Sequence, residues 1–113
     1  MRVVIHCKYC DEKKLEEICH RNEHSYLYGV NQCDASSPRF ELSKTAFIVE
    51  NLCVEDGELY GDVDILGTKY GDILEDVMSN SDVKFCISGC GTVGEDGFAE
   101  DYAVSHVVAV RLE

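Results

Sequence analysis

The sequence predicts an α+β fold: a mostly antiparallel sheet, able to curl into a small barrel, with two helices. Three observations carry this expectation. Residues 45–66 hold two alternating apolar runs on either side of Asp56-Gly57, the pattern of a tight hairpin. Residues 11–22 and 69–79 space their apolar side chains at helical intervals. The elements follow in the order β-α-β-β-β-α-β-β, which is not the regular alternation of a parallel α/β sheet.

Size and composition agree with that class. The chain has 113 residues, 45% of them hydrophobic, enough for one packed core. A single domain over 1–113 is expected, with an N-terminal βα unit at 1–24 and a β-rich body at 45–113. The stretch Asn31 to Arg39, with the chain's one proline at Pro38, reads as the loop between them.

Residues 2–7 (RVVIHC) form a short β-branched strand. The helix at 11–22 has Asp11 as N-cap and Leu15, Ile18 and Cys19 on one face. Residues 25–30 make a short strand. In the second arm of the hairpin, Leu59, Gly61, Val63 and Ile65 share one face. Glu58, Tyr60, Asp62 and Asp64 share the other, which marks a sheet with one wet side. The helix at 69–79 is capped by Thr68 and puts Tyr70, Ile73, Leu74, Val77 and Met78 on one stripe, with Tyr70, Ile73, Leu74 and Val77 expected to be buried against the sheet. Residues 83–88 form a strand that runs into Gly89-Cys90-Gly91. A loop around Asp96-Gly97 follows, and residues 102–112 form the last strand.

Ten Lys and Arg stand against 22 Asp and Glu, a formal charge of -12. Such a chain repels phosphate backbones, so direct nucleic-acid binding is not expected, and a protein partner with a basic surface is. No apolar run approaches the ~20 residues of a bilayer span, and membrane association is not expected. Only three apolar residues separate Arg2 from His6, so no secretory leader is expected. Seven cysteines, an odd number, without a leader point to free thiols in the cytoplasm.

Two groups of residues can carry chemistry. Cys7 and Cys10, with His20 and His24 at i, i+4 on a helix, offer the ligand types of a zinc site. The nine residues between Cys10 and His20 are fewer than the ~12 of a classical finger, and Cys19 competes, so weak or no zinc and no cofactor are expected. Cys7-Lys8-Tyr9-Cys10 is also similar to the glutaredoxin motif. A thioredoxin-type fold needs further βαβ order and a proline near the thiols, and Pro38 stands elsewhere. The second group is Ser88, at the end of an apolar strand and followed by Gly89 and Gly91. Small residues there admit a substrate backbone, and their amides can face an oxyanion. The same pattern also serves as a tight turn. The carboxylates at Glu95, Asp96, Glu100 and Asp101 flank a glycine turn and read as a solvated loop.

The ordered set from Val49 to Val108 resembles the phage prohead maturation proteases. The stretches that carry it are Glu55 to Gly61, Ile65-Leu66-Gly67-Thr68, Gly71 to Leu74, Val83 to Val93 and Asp101 to Val108. The resemblance implies that family's fold and a serine–histidine proteolytic pair, with Ser88 at the serine position and Gly89 and Gly91 beside the substrate groove. The stretch matching the family's histidine region, Gly29 to Asp34, holds Cys33 and no histidine. Gly89 and Cys90 stand where an arginine is expected. The remaining imidazoles are His6, His20, His24 and His106, of which His106 is the candidate base if the last strand lies beside Ser88. The expected function is therefore that of a shortened prohead-protease-like viral protein that binds capsid, scaffold or another partner in the host cytoplasm without robust proteolysis. The alternatives are a small acidic inhibitor of a host defence protein, anti-CRISPR-like in kind, and an active serine peptidase.

Overall fold

The computed structural model describes residues 1–8, 10–32, 42–95, 97 and 99–112, with the backbone alone at 90–93 and 99–103. Six strands and two helices follow in chain order: β1 (Arg2–His6), α1 (Glu12–Arg21), β2 (Leu27–Asn31), β3 (Phe47–Glu55), β4 (Glu58–Ile65), α2 (Lys69–Asn80), β5 (Val83–Val93) and β6 (Ala99–Arg111). One 3-10 turn, Leu42–Lys44, leads into β3. Most of the expected loop, including Cys33 and Pro38, lies outside the described residues.

The sheet closes into a barrel in the order β1-β4-β3-β2-β6-β5. It is mixed. Four neighbouring pairs are antiparallel, while β1 with β5 and β2 with β6 are parallel. Local pattern anticipates β3 with β4 and β5 with β6, because hairpin partners are close in sequence, but not the antiparallel pairing of β1 with β4, which spans more than half of the chain. The two parallel seams join the first two strands to the last two, so the N-terminal βα unit is woven into the same barrel.

The β3–β4 hairpin turns at Asp56-Gly57, with φ of 53° and 77°. Both values are positive, as a type I′ turn requires, and glycine reaches them without steric cost. Leu59, Gly61 and Val63 face inward and Asp64 outward, in the expected alternation. A bulge between Glu50 and Cys53 shifts the register; Asn51 sits there at φ 52° and donates through Nδ2 to Asp62 Oδ2 at 3.0 Å.

The barrel interior is filled by Ile5, Phe47, Val49, Leu59, Phe85 and Val107, all nearly inaccessible. Phe47 and Phe85 meet edge to face with centroids 5.2 Å apart. Helix α1 starts at its Asp11 cap, which accepts from the Lys14 amide, and buries Leu15 and Ile18 as it packs on β3 and β4.

Helix α2 is capped by Thr68, whose hydroxyl accepts from the Gly71 amide at 3.1 Å. Gly71 lies against the carbonyls of Leu66 and Ala46, too close to admit a side chain, and this contact seats the helix near β2 and β4. The expected apolar stripe is narrower than its periodicity suggests. Leu74 is buried and Tyr70, Val77 and Met78 are half-buried, but Ile73 is 43% exposed. The helix meets the barrel along a line through Gly71 and Leu74, and Ile73 falls beside that line, at the rim of a cavity. No helix among the described residues is long and apolar enough to cross a membrane.

Candidate functional site

Ser88 lies on β5 and His106 on β6, directly opposite each other in the antiparallel register. Phe85 faces the interior of β5, and Val107 and Ala109 face that of β6. Alternation along each strand then turns Ser88 and His106 to the same outer face, where opposed Cβ atoms stand about 4.5–5.5 Å apart. Both residues are half-buried.

The register breaks immediately beyond them. Ser88 pairs with His106 but Gly89 pairs with Val104, so Ser105 is the extra residue of a bulge on β6. Bulges re-aim side chains, and here the Ser105 hydroxyl meets His106 Nδ1 at 2.9 Å. Burial lowers the His106 pKa from its ordinary value, so the imidazole is neutral at pH 7 and has a lone pair to offer as a base. A serine, a neutral imidazole opposite it and a hydroxyl that orients the ring are the parts of a nucleophile–base pair. Sequence inspection offered His106 only conditionally, and it missed Ser105. A bulge is a property of register between two strands, and nothing local to Ser105 announces it.

The strands that carry this pair leave the barrel at that point. β1 pairs with β5 at Phe85 and Cys86, and β2 pairs with β6 from Val107 to Ala109. Beyond Cys86, and before Val107, β5 and β6 pair with each other alone among the described residues. They form a two-stranded arm, and Ser88 and His106 stand at its base. Gly89 is exposed, and Gly91 lies on the arm opposite Tyr102. From Phe85 to Val110 the sequence has four carboxylates and no lysine or arginine, so this region is acidic. Asp96 lies outside the described residues.

None of the other candidate histidines stands in register with Ser88. His6 is exposed on β1, in register with Cys86. His20 is exposed, with Nδ1 3.7 Å from Glu23, and His24 is exposed on the turn after α1. Cys7 and Cys10 are joined in a disulfide with Cα atoms 5.7 Å apart, which corrects the expectation that the cysteines are all free thiols. Their spacing across the end of β1 and the start of α1 folds one back on the other. No group of three or more His, Cys, Asp or Glu among the described residues is placed to hold a metal, so Cys7, Cys10, His20 and His24 are not assembled as a ligand set.

A cavity of about 570 Å³ lies elsewhere, between α2 and the barrel, lined by Asn31, Leu74, Val77, Val83, Ala109 and Arg111 among others. Comparison with protein-family models, curated proteins and solved structures found no match to this chain.

Proposed function

We propose that this chain is a shortened, prohead-protease-like protein that binds an extended segment of a protein partner along the arm edge of β5, beside Ser88, without robust proteolysis. The observation that carries the reading is the edge of β5 beyond Cys86, which among the described residues pairs with β6 alone. A strand that leaves a closed barrel exposes backbone donors and acceptors, and an incoming strand can satisfy them. The acidic stretch from Phe85 to Val110 supports a basic partner segment, from capsid, scaffold or a host protein. A host defence protein with a basic channel meets the same description.

Support for the peptidase alternative comes from Ser88 opposite His106. One experiment separates the two. The full chain is treated with a fluorophosphonate probe and, in parallel, titrated with an extended peptide of alternating arginine and valine. For the binding reading, the peptide slows amide exchange in residues 87–93, Ser88→Ala binds it equally well, and Ser88 is not labelled. Labelling that Ser88→Ala and His106→Gln both abolish would establish a working pair instead. Unchanged exchange in 87–93 with saturating peptide would count against the strand edge as the binding site.

A further inference from the structure

We infer that the cavity between α2 and the barrel binds a small organic carboxylate with an apolar body and one N–H or O–H donor at its far end. The cavity holds about 570 Å³, within the range of small-molecule sites. Helix α2 supplies Ile73, Leu74 and Val77 to it, β5 supplies Val83, and β2 and β6 supply Asn31 and Arg111. The lining is graded in depth. Leu74 and Asn31 are 2% and 6% exposed, while Ile73 is 43% exposed and Arg111 is exposed, so Asn31 marks the inner end and Arg111 the mouth. Asn31 pairs with Ala109 in the parallel seam, and Arg111 leaves the same face of the sheet two residues on, about 7 Å further along. Both ends lack a partner. Asn31 Nδ2 donates to the Tyr70 carbonyl at 3.0 Å, which pins the amide, and its Oδ1 is shut off from solvent with no donor among the described residues. Folded chains leave few buried acceptors in that state, because the lost solvation is not recovered. Arg111 is the one charged side chain of the described lining, and it makes no ion pair among the described residues, not even with Asp82 beside Val83.

These features select the ligand. The guanidinium presents a fork of N–H donors that matches a carboxylate. The wall of Ile73, Leu74, Val77 and Val83 takes an aliphatic or aromatic body. Asn31 Oδ1 only accepts, so the inner end of the ligand must donate. A cationic ligand meets Arg111 with the wrong sign, and a purely apolar one leaves Oδ1 without a partner. A bound ligand also ties α2 to β2 and β6, so it stabilises the folded chain and slows local opening of the helix. The site lies where Val83 meets Arg111 on the β5–β6 ladder, away from Ser88 and the arm, and does not rest on binding at the β5 edge.

The test uses the full chain and three probes: indolebutyrate, its benzothiophene analogue, which has sulfur in place of the ring N–H, and its primary amide, which has no charge. Backbone amide signals are followed by nuclear magnetic resonance as each probe is added. Indolebutyrate is expected to bind one to one and to shift the signals of Asn31, Ile73, Val77 and Ala109. Loss of the ring N–H is expected to weaken binding about five-fold, and loss of the charge about ten-fold. Arg111→Gln changes an exposed side chain and leaves the core alone. It is expected to erase most of the difference between acid and amide while keeping that between N–H and sulfur. The acetate and hexanoate homologues extend the test to shorter and longer spans. The inference is overturned if no acid shifts the lining residues at about millimolar concentration. Equal affinity for acid and amide, equal affinity for N–H and sulfur, or an acid preference that survives Arg111→Gln would each overturn it as well.

Discussion

His106 couples the site to pH through its burial. Its pKa is depressed in the folded chain relative to the ordinary 6.5. The unfolded state then binds more protons in the window below that value, so stability rises with pH there and is lost as pH falls through it. His106→Gln should flatten this dependence. Urea midpoints of the two proteins, taken at intervals from about pH 7 to pH 5, are expected to converge as the pH falls, because the wild type alone must discharge a buried imidazolium. A constant difference between them would mean that the ring does not change its protonation on folding. The same neutral ring makes Ser88 worth testing as a nucleophile, since an imidazolium has no lone pair to accept its proton.

At the scale of the element, α2 separates periodicity from contact. Leu74 is 2% exposed in the core, and Leu74→Ala should cost about 2–5 kcal/mol. Ile73 lies one residue earlier and is 43% exposed at the cavity rim, so Ile73→Ala should cost about 1 kcal/mol or less. Chemical denaturation of the two variants side by side checks the orientation of the helix. The cap is a separate contribution. Thr68 accepts from the Gly71 amide and donates through the same hydroxyl to the Thr45 carbonyl at 3.2 Å. Thr68→Ala should cost about 1 kcal/mol, and Thr68→Ser should recover most of it, because the capping oxygen returns.

The whole molecule divides into a closed barrel and an arm. Packing holds the barrel, and Phe47 is its largest fully buried side chain, so Phe47→Ala should cost about 3–5 kcal/mol. Among the described residues the arm is held by a single ladder. Replacing residues 90–103 with Asn-Gly joins Gly89 to Val104 through a two-residue turn, at positions already paired. The shortened chain should melt within a few degrees of the parent and lose binding of the basic peptide. Peptide affinity surviving this deletion would place the binding surface on the barrel, and a collapse of the melting transition would show that the arm is part of the core.

How much of this was legible in the sequence depends on the range of the interaction. Asp56-Gly57 and the alternation around it specify the β3–β4 hairpin, and Asp11 and Thr68 mark helix starts, because turns and caps are settled within a few residues. The class of fold was readable for the same reason, but the expected end of the strand at Ser88 was not the end: β5 runs on through Gly89, Cys90 and Gly91 to Val93, because pairing with β6 holds those residues extended. The parallel seams were not, since Gly29 with Val107 and Ile5 with Phe85 pair across most of the chain and leave no local periodicity. His106 was one of four histidines until the register of β5 and β6 set it opposite Ser88, and the contact of the preceding Ser105 hydroxyl with its ring is made where that register is bulged. Cys7-x-x-Cys10 read first as incidental spacing, with metal or thiol exchange as alternatives; that the two cysteines pair with each other came from the fold. Local sequence determined which elements exist, because backbone conformation answers to near neighbours. Tertiary structure decided which side chains meet, because barrel closure and strand register follow from burying all the apolar faces at once.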